Sequence, residues 1–305
     1  AFGDSFSTLT DLDDVIDGRL RLSLGIPVDA LPAAAARGLR TGTLLHGRET
    51  MRFGWAKEYA DGALGSGTAA LFAPRTCGEA PDAGILRVHP AELDELFDAA
   101  RRAGIGMAVH AIGDRAAAAV LDAVERAPDA APEAPRDRME HAQLVRPQDR
   151  ARLAALRVTA SVQPIHAAAD RDLVESCWDG RQDDAYAWRS LRERGALLAA
   201  GSDAPVESVN PWLGIFAFVH RRSPSDERGD WRSAQALTLA EALRAYTLGP
   251  ARAIGAADEG HLRVGARADL AVLDIGLEAL LAADARLADV RSVITLVAGR
   301  EVHRS

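Results

Sequence analysis

The sequence predicts an α/β fold organised around a parallel β-sheet, and three observations carry that prediction. Short apolar runs alternate with amphipathic helical stretches from Arg19 to residue 260, the pattern of right-handed βαβ units. Polar residues stand at the C-terminal ends of those runs, where a parallel sheet that closes into a barrel gathers them at one mouth. The tail then changes character: Leu262 to Asp274 and Val290 to His303 alternate with β-rich residues, the period of half-buried strands. The expected division is residues 1–260 for the barrel unit and 261–305 for a small β unit with too few strands to stand alone.

Taken in order, Arg19 to Leu24 alternates as a strand, and Asp29 to Gly38 is an alanine-rich helix stopped by glycine. Met51 to Tyr59 is the next strand and carries Lys57 near its end. Pro90 opens a helix whose Leu93, Leu96, Phe97 and Ala100 share one face, with Gly104 as its stop. Strand 105–110 runs into His110, and Asp114 is placed to cap the helix that ends at Arg126. Ala127 to Pro135 reads as a surface connection. Strand 138–142 contains Glu140 and His141; residues 147–156 are helical; strand 158–163 delivers Gln163 and, past Pro164, His166. Asp183 to Arg194 is an expected helix, and strand 196–202 leads to Asp203. Thr238 and Glu241 have capping-box spacing, and Ala298 to Arg300 marks a turn in the tail. Six strands are two short of a closed eight-stranded sheet, so a missing N-terminal part is expected.

Composition bounds the function. The 305 residues are 48% hydrophobic and 26% charged, as in a soluble globular enzyme, and the net charge of −8 argues against a nucleic-acid or anionic-membrane partner. No apolar run reaches the roughly 18 residues of a membrane span. The first residues lack the basic and apolar regions of a signal peptide. Cys77 and Cys177 have no metal-binding spacing and read as reduced thiols, which places the protein in the cytoplasm.

Lys57 is the only lysine in a chain whose other fixed cations are arginines. An amine in a low-dielectric pocket loses its proton readily and can then act as a base, form a Schiff base or add carbon dioxide to give a carbamate; a guanidinium can do none of these. At the ends of other strands stand His110, His141 and Asp203. Neutral imidazoles and carboxylates suit Zn²⁺ and its neighbours. Gln163 and His166 read equally as ligand or substrate contacts and as groups that orient a ligand or anchor a loop. His46, His89, His220, His261 and His303 lie in helices, turns or the tail and carry the ordinary structural reading. Trp188, Trp212, Phe216 and Phe218 fit either apolar pocket walls or core.

These motifs together resemble the amidohydrolase superfamily, and within it the YtcJ-like metal-dependent hydrolases of the amidohydrolase 3 type. The resemblance rests on KEYADGALGSGTAAL from Lys57, HAIGD from His110, MEHAQ around His141, ASVQPIH with Gln163 and His166, AYAWRSL, GSDAPV with Asp203, and LRVGARADLAVLD from Leu262. It implies a (β/α)8 TIM barrel, incomplete because only strands three to eight are present, with part of a C-terminal β-sandwich. It implies Lys57 as a carbamate bridging ligand, His110 and His141 as further metal ligands, and Asp203 as ligand and general base; Gln163 and His166 stay the candidate substrate-binding residues on the reading given above. The activity implied is hydrolysis of an amide or other C–N bond; the expected partners are a small-molecule substrate and a second copy of the chain in a homodimer. Two departures stand out. The family's His-x-His motif is not in this sequence, and Gly67 stands where related sequences usually carry arginine. An inactive barrel remnant that works through a partner chain is therefore the alternative, and a Schiff-base lyase using Lys57 is a third reading.

Overall fold

The computed structural model describes residues 16–45, 50–129, 134 and 136–305; His46 and part of the expected surface connection lie outside them. Six strands form one parallel sheet in chain order: β1 (Leu22–Pro27), β2 (Met51–Tyr59), β3 (Met107–Ala111), β4 (Arg138–His141), β5 (Thr159–Val162) and β6 (Leu197–Ala200). A separate antiparallel sheet holds β7 (Leu270–Leu273), β8 (Ser292–Val297) and β9 (Arg300–Arg304). Each parallel strand is followed by helical chain, as the crossover between parallel neighbours requires.

The apolar runs become strands because both of their faces are covered. All four residues of β5 are buried, as are Met107, Ala108 and Val109 of β3. Helix α1 (Leu31–Ala36) is shorter than the expected 29–38, with Val28–Ala30 forming a 3-10 turn before it. Helix α2 (Pro90–Ala103) starts where Pro90 predicts; the His89 ring accepts from the Ala91 N–H, and Gly104, at φ 69°, ends it. Helix α3 (Asp114–Arg126) buries Ala116, Ala117, Ala118 and Ala119, whose small side chains let it lie close to the sheet. Asp114 is not its cap. Gly113 takes that position, and the Asp114 carboxylate instead accepts from the Phe72 N–H at 2.9 Å.

Further along come α4 (Arg150–Ala155), α5 (Pro164–Ala169), α6 (Arg171–Cys177) and α7 (Trp188–Glu193). The helix expected over 183–194 is divided: Gln182–Asp184 is a 3-10 turn, and Tyr186 has a left-handed backbone at φ 50° that no continuous helix accommodates. Helix α8 (Pro211–His220) has apolar residues all round, so it carries no amphipathic period to read. Its Trp212, Phe216 and Phe218 are buried, as is Trp188, and all four belong to the core. The capping box forms at α9 (Leu239–Tyr246), which α10 (Leu248–Ala253) and, in the tail, α11 (Leu277–Leu281) follow. β1 lies three residues later than the alternation at Arg19 suggests; its Leu22 N–H bonds the Thr50 carbonyl and so fixes the register against β2.

The expectation of two reduced thiols is overturned. Cys77 and Cys177 form a disulfide across 100 residues of sequence. Spacing along the chain says nothing about the spatial neighbour of a lone cysteine, and the argument for a reducing compartment falls with the free thiols. Among the described residues no helix is long and apolar enough to cross a membrane.

Candidate metal centre

Strand register places the candidate side chains at one end of the parallel sheet. Tyr59 pairs with His110, two residues beyond the pairing of Lys57 with Ala108, and Ala111 pairs with His141. A cleft of about 440 Å³ opens there, lined by Lys57, Tyr59, His110, His141, His166 and Asp203 together with Asp170, Gln143 and a small apolar wall around Leu64 and Ile112. Of the six residues singled out in the sequence only Gln163 is absent from its lining.

Each group is held in a definite state. His110 Nε2 lies 2.9 Å from the Gly62 carbonyl, an acceptor only, so Nε2 carries the proton and Nδ1 keeps its lone pair. His141 Nδ1 lies 2.9 Å from Gln163 Oε1, so it donates and leaves Nε2 with the lone pair. Gln163 thus orients an imidazole and does not face the cleft. The two rings sit edge to face with centroids 4.5 Å apart. Burial, reinforced by the neighbouring His110, pushes the His141 pKa down to about 3, and burial lowers that of His110 as well. Both rings are therefore neutral at pH 7, the form that can donate to a metal.

His166 and Asp203 face each other, with Nε2 to Oδ2 at 3.3 Å, while His166 Nδ1 lies 3.5 Å from Glu207. One ligand atom from each of His141, His166 and Asp203 lies within 4.8 Å of the others. A soft-to-borderline divalent cation fits that donor set. His141 and Asp203 also have left-handed backbones, at φ 74° and 61°. Such conformations in residues other than glycine cost on the order of 1–3 kcal/mol and gather at functional sites.

Burial is the main cause that lowers the Lys57 pKa. Its amine lies 4.7 Å from the Tyr59 ring centroid, a contact that favours the cation, and no carboxylate pairs with it among the described residues.

One residue that shapes the site went unread in the sequence. Asp61 is 1% exposed, and its carboxylate accepts from the N–H groups of Ala70, Ile112 and Gly113 at 2.8–3.0 Å. Burial pushes its pKa up to about 6 against those three donors. It ties the turn after β2 to the start of α3 and lies 3.5 Å from His110 Nε2. An aspartate followed by glycine reads as an ordinary turn, which hides it. Gly62 is required at that turn, since a Cβ there would stand 1.8 Å from Thr68 Oγ1. Gly67, at φ 67°, faces the Arg75 guanidinium, which occupies the space a side chain would need.

Comparison with known proteins finds several that this chain resembles. The model of the amidohydrolase family matches residues 11–303. YtcJ of Bacillus subtilis (strain 168) is 35% identical over 271 residues, covering 82% of this chain and 50% of that protein. LONG AFTER FAR-RED 3 of Arabidopsis thaliana is 33% identical over 260 residues, 83% of this chain and 44% of its own length. A metal-dependent hydrolase from Pyrococcus furiosus whose crystal structure is known superposes with a TM-score of 0.72 at 32% identity, covering 86% of this chain and 52% of that one. The chain thus spans about half the length of the relatives it matches.

Proposed function

The chain belongs to the amidohydrolase family, and from that premise we propose that it hydrolyses an amide or other C–N bond of a small molecule with a divalent metal, most simply Zn²⁺. In this reading the six-stranded sheet corresponds to strands three to eight of a (β/α)8 barrel, and β7–β9 to part of a β-sandwich. The observation that carries the proposal is the meeting of Lys57, His110, His141, His166 and Asp203 in one cleft, three of them with ligand atoms within 4.8 Å of one another.

The residues that would hold the metal are His110 and His141 through their free ring nitrogens, Asp203, and Lys57 as its carbamate, with His166 beside Asp203. When bound, such a cation supplies Lewis acidity and a water acidified to a pKa of about 7. The chain supplies the rest. Deprotonated Lys57 attacks carbon dioxide through Nζ; an N–C bond forms, one C=O π pair moves to oxygen, and the nitrogen gives its extra proton to water. Asp203 takes the proton of the attacking water and then passes it to the leaving nitrogen as the C–N bond breaks. His166, 3.3 Å from that carboxylate, keeps Oδ2 in place during the transfer. His141 stays neutral because it is buried, and Gln163 fixes its ring.

Replacing Lys57 with arginine tests this directly. The variant keeps a long basic side chain but cannot form a carbamate. Metal retained through gel filtration, read by elemental analysis, and hydrolysis of a panel of N-acyl amines are both expected to be lost, with the circular dichroism spectrum unchanged. Full activity in the variant would defeat the carbamate role.

A further inference from the structure

We infer that Asp170 is the specificity-determining residue of this cleft and binds an ammonium group on the substrate, so that the class of substrate is an amide bearing a nearby amine. This rests on the hydrolase reading and adds the substrate class to it. Asp170 follows α5 one helical turn after His166, so both lie on the same side of the helix, and both line the cleft.

Its carboxylate is fixed from behind. The Tyr186 hydroxyl donates to Asp170 Oδ2. Tyr186 is itself 2% exposed, and its carbonyl accepts from Arg221 Nη1 at 2.7 Å. Arg221 is fully buried between the rings of Trp188 and Trp231, its guanidinium 4.8 and 4.9 Å from their centroids. Tyr186 and Arg221 both have left-handed backbones, at φ 50° and 53°. Arg221 also donates to the carbonyls of Trp231 and Ala185, so the segment that carries the phenol is tied down on both sides. The other oxygen, Oδ1, has no partner among the described residues.

Charge in the cleft points to the ligand. Among the described residues its charged lining groups are Lys57, Asp170 and Asp203, with no arginine. With Lys57 as a carbamate, that group and Asp203 balance a dication, and Asp170 is left without a counter-charge. Glu207, beside His166, adds to the excess. A carboxylate held with one oxygen free in a partly desolvated cleft gains most from a cationic hydrogen-bond donor. If its job were only to accept from Tyr186, an asparagine would serve as well.

The test measures binding of two probes, glycinamide and acetamide, by ligand-observed NMR in wild type and in Asp170→Asn. Wild type is expected to bind glycinamide at least about tenfold more tightly, the scale of one charge-assisted hydrogen bond. Asp170→Asn keeps an acceptor for Tyr186 and is expected to lose that preference. Equal binding of the two probes by wild type overturns the inference, whatever the fate of the variant, as does a preference that persists in Asp170→Asn. A preserved preference in a wild-type protein that hydrolyses no amide would sink the hydrolase reading and leave this one standing.

Discussion

Breaking the Cys77–Cys177 disulfide should cost the protein much of its stability, and the size of the loss can be worked from the closed loop. The two cysteines are 100 residues apart. Loop-closure entropy for that length is about 16 cal/mol/K, or about 4.7 kcal/mol at 25 °C. The bond joins the long connection after β2 to the end of α6, where Thr76 Oγ1 also donates to the Ser176 carbonyl at 2.8 Å, and Arg181 donates to the carbonyls of Ala73 and Pro74 at 2.9 and 3.0 Å. Those native contacts survive reduction, so the loss falls on the unfolded state, which gains freedom. With an m-value of about 3 kcal/mol/M in urea, the midpoint of unfolding should fall by about 1.6 M on reduction, or in the Cys77→Ser, Cys177→Ser double variant. Equilibrium unfolding followed by tryptophan fluorescence reads this. Midpoints that agree within about 0.2 M, or thiols that react with a chromogenic disulfide in denatured, unreduced protein, would refute the reasoning.

Other outcomes follow from the site. His141 has its folded pKa depressed from 6.5 to about 3, so the unfolded chain takes up a proton that the folded one refuses. Its contribution to metal-free stability is present above pH 6.5 and lost progressively down to about pH 3. Asp61 acts oppositely: raised from 3.8 to about 6, it loses stability as pH rises through that window. Comparing wild type with His141→Asn from pH 7.5 to 4 isolates the histidine, and the gap between their unfolding free energies should move in the variant's favour as the pH falls; a constant gap contradicts the assignment. Gln163→Leu removes the acceptor of His141 Nδ1 and should weaken zinc binding by about 10–100-fold in a competitive chelator titration. Unchanged zinc affinity would mean that Gln163 does not orient the ligand. Gly62→Ala forces a Cβ to 1.8 Å from Thr68 Oγ1 and should lower the thermal midpoint while disturbing the carbonyl that receives His110.

Much of this was legible because strand ends announce themselves. β2 runs over the residues its apolar pattern predicts, and β3 to β6 fall within about two residues of their expected ends. A buried parallel strand is a short apolar run, and the polar residue that follows it has only the sheet end to occupy. That Lys57, His110, His141 and Asp203 share one cleft was readable for that reason. What escaped reading depends on contacts between distant segments. Asp61 looks like a turn residue until Ile112 and Gly113 arrive beside it. Asp170 looks like a helix-end carboxylate until Tyr186 and Arg221 are folded behind it. Cys77 and Cys177 carry no sign of each other. Helix α8 was silent because a helix buried on all sides has no polar face to set its period.

The most direct test of the account is anomalous diffraction at the zinc edge from crystals of this protein grown with zinc and bicarbonate. A peak is expected in the cleft beside His110, His141 and Asp203, with density beyond Nζ continuing the Lys57 side chain as a carbamate. A cleft without any anomalous peak in crystals that bind zinc at other places would contradict it.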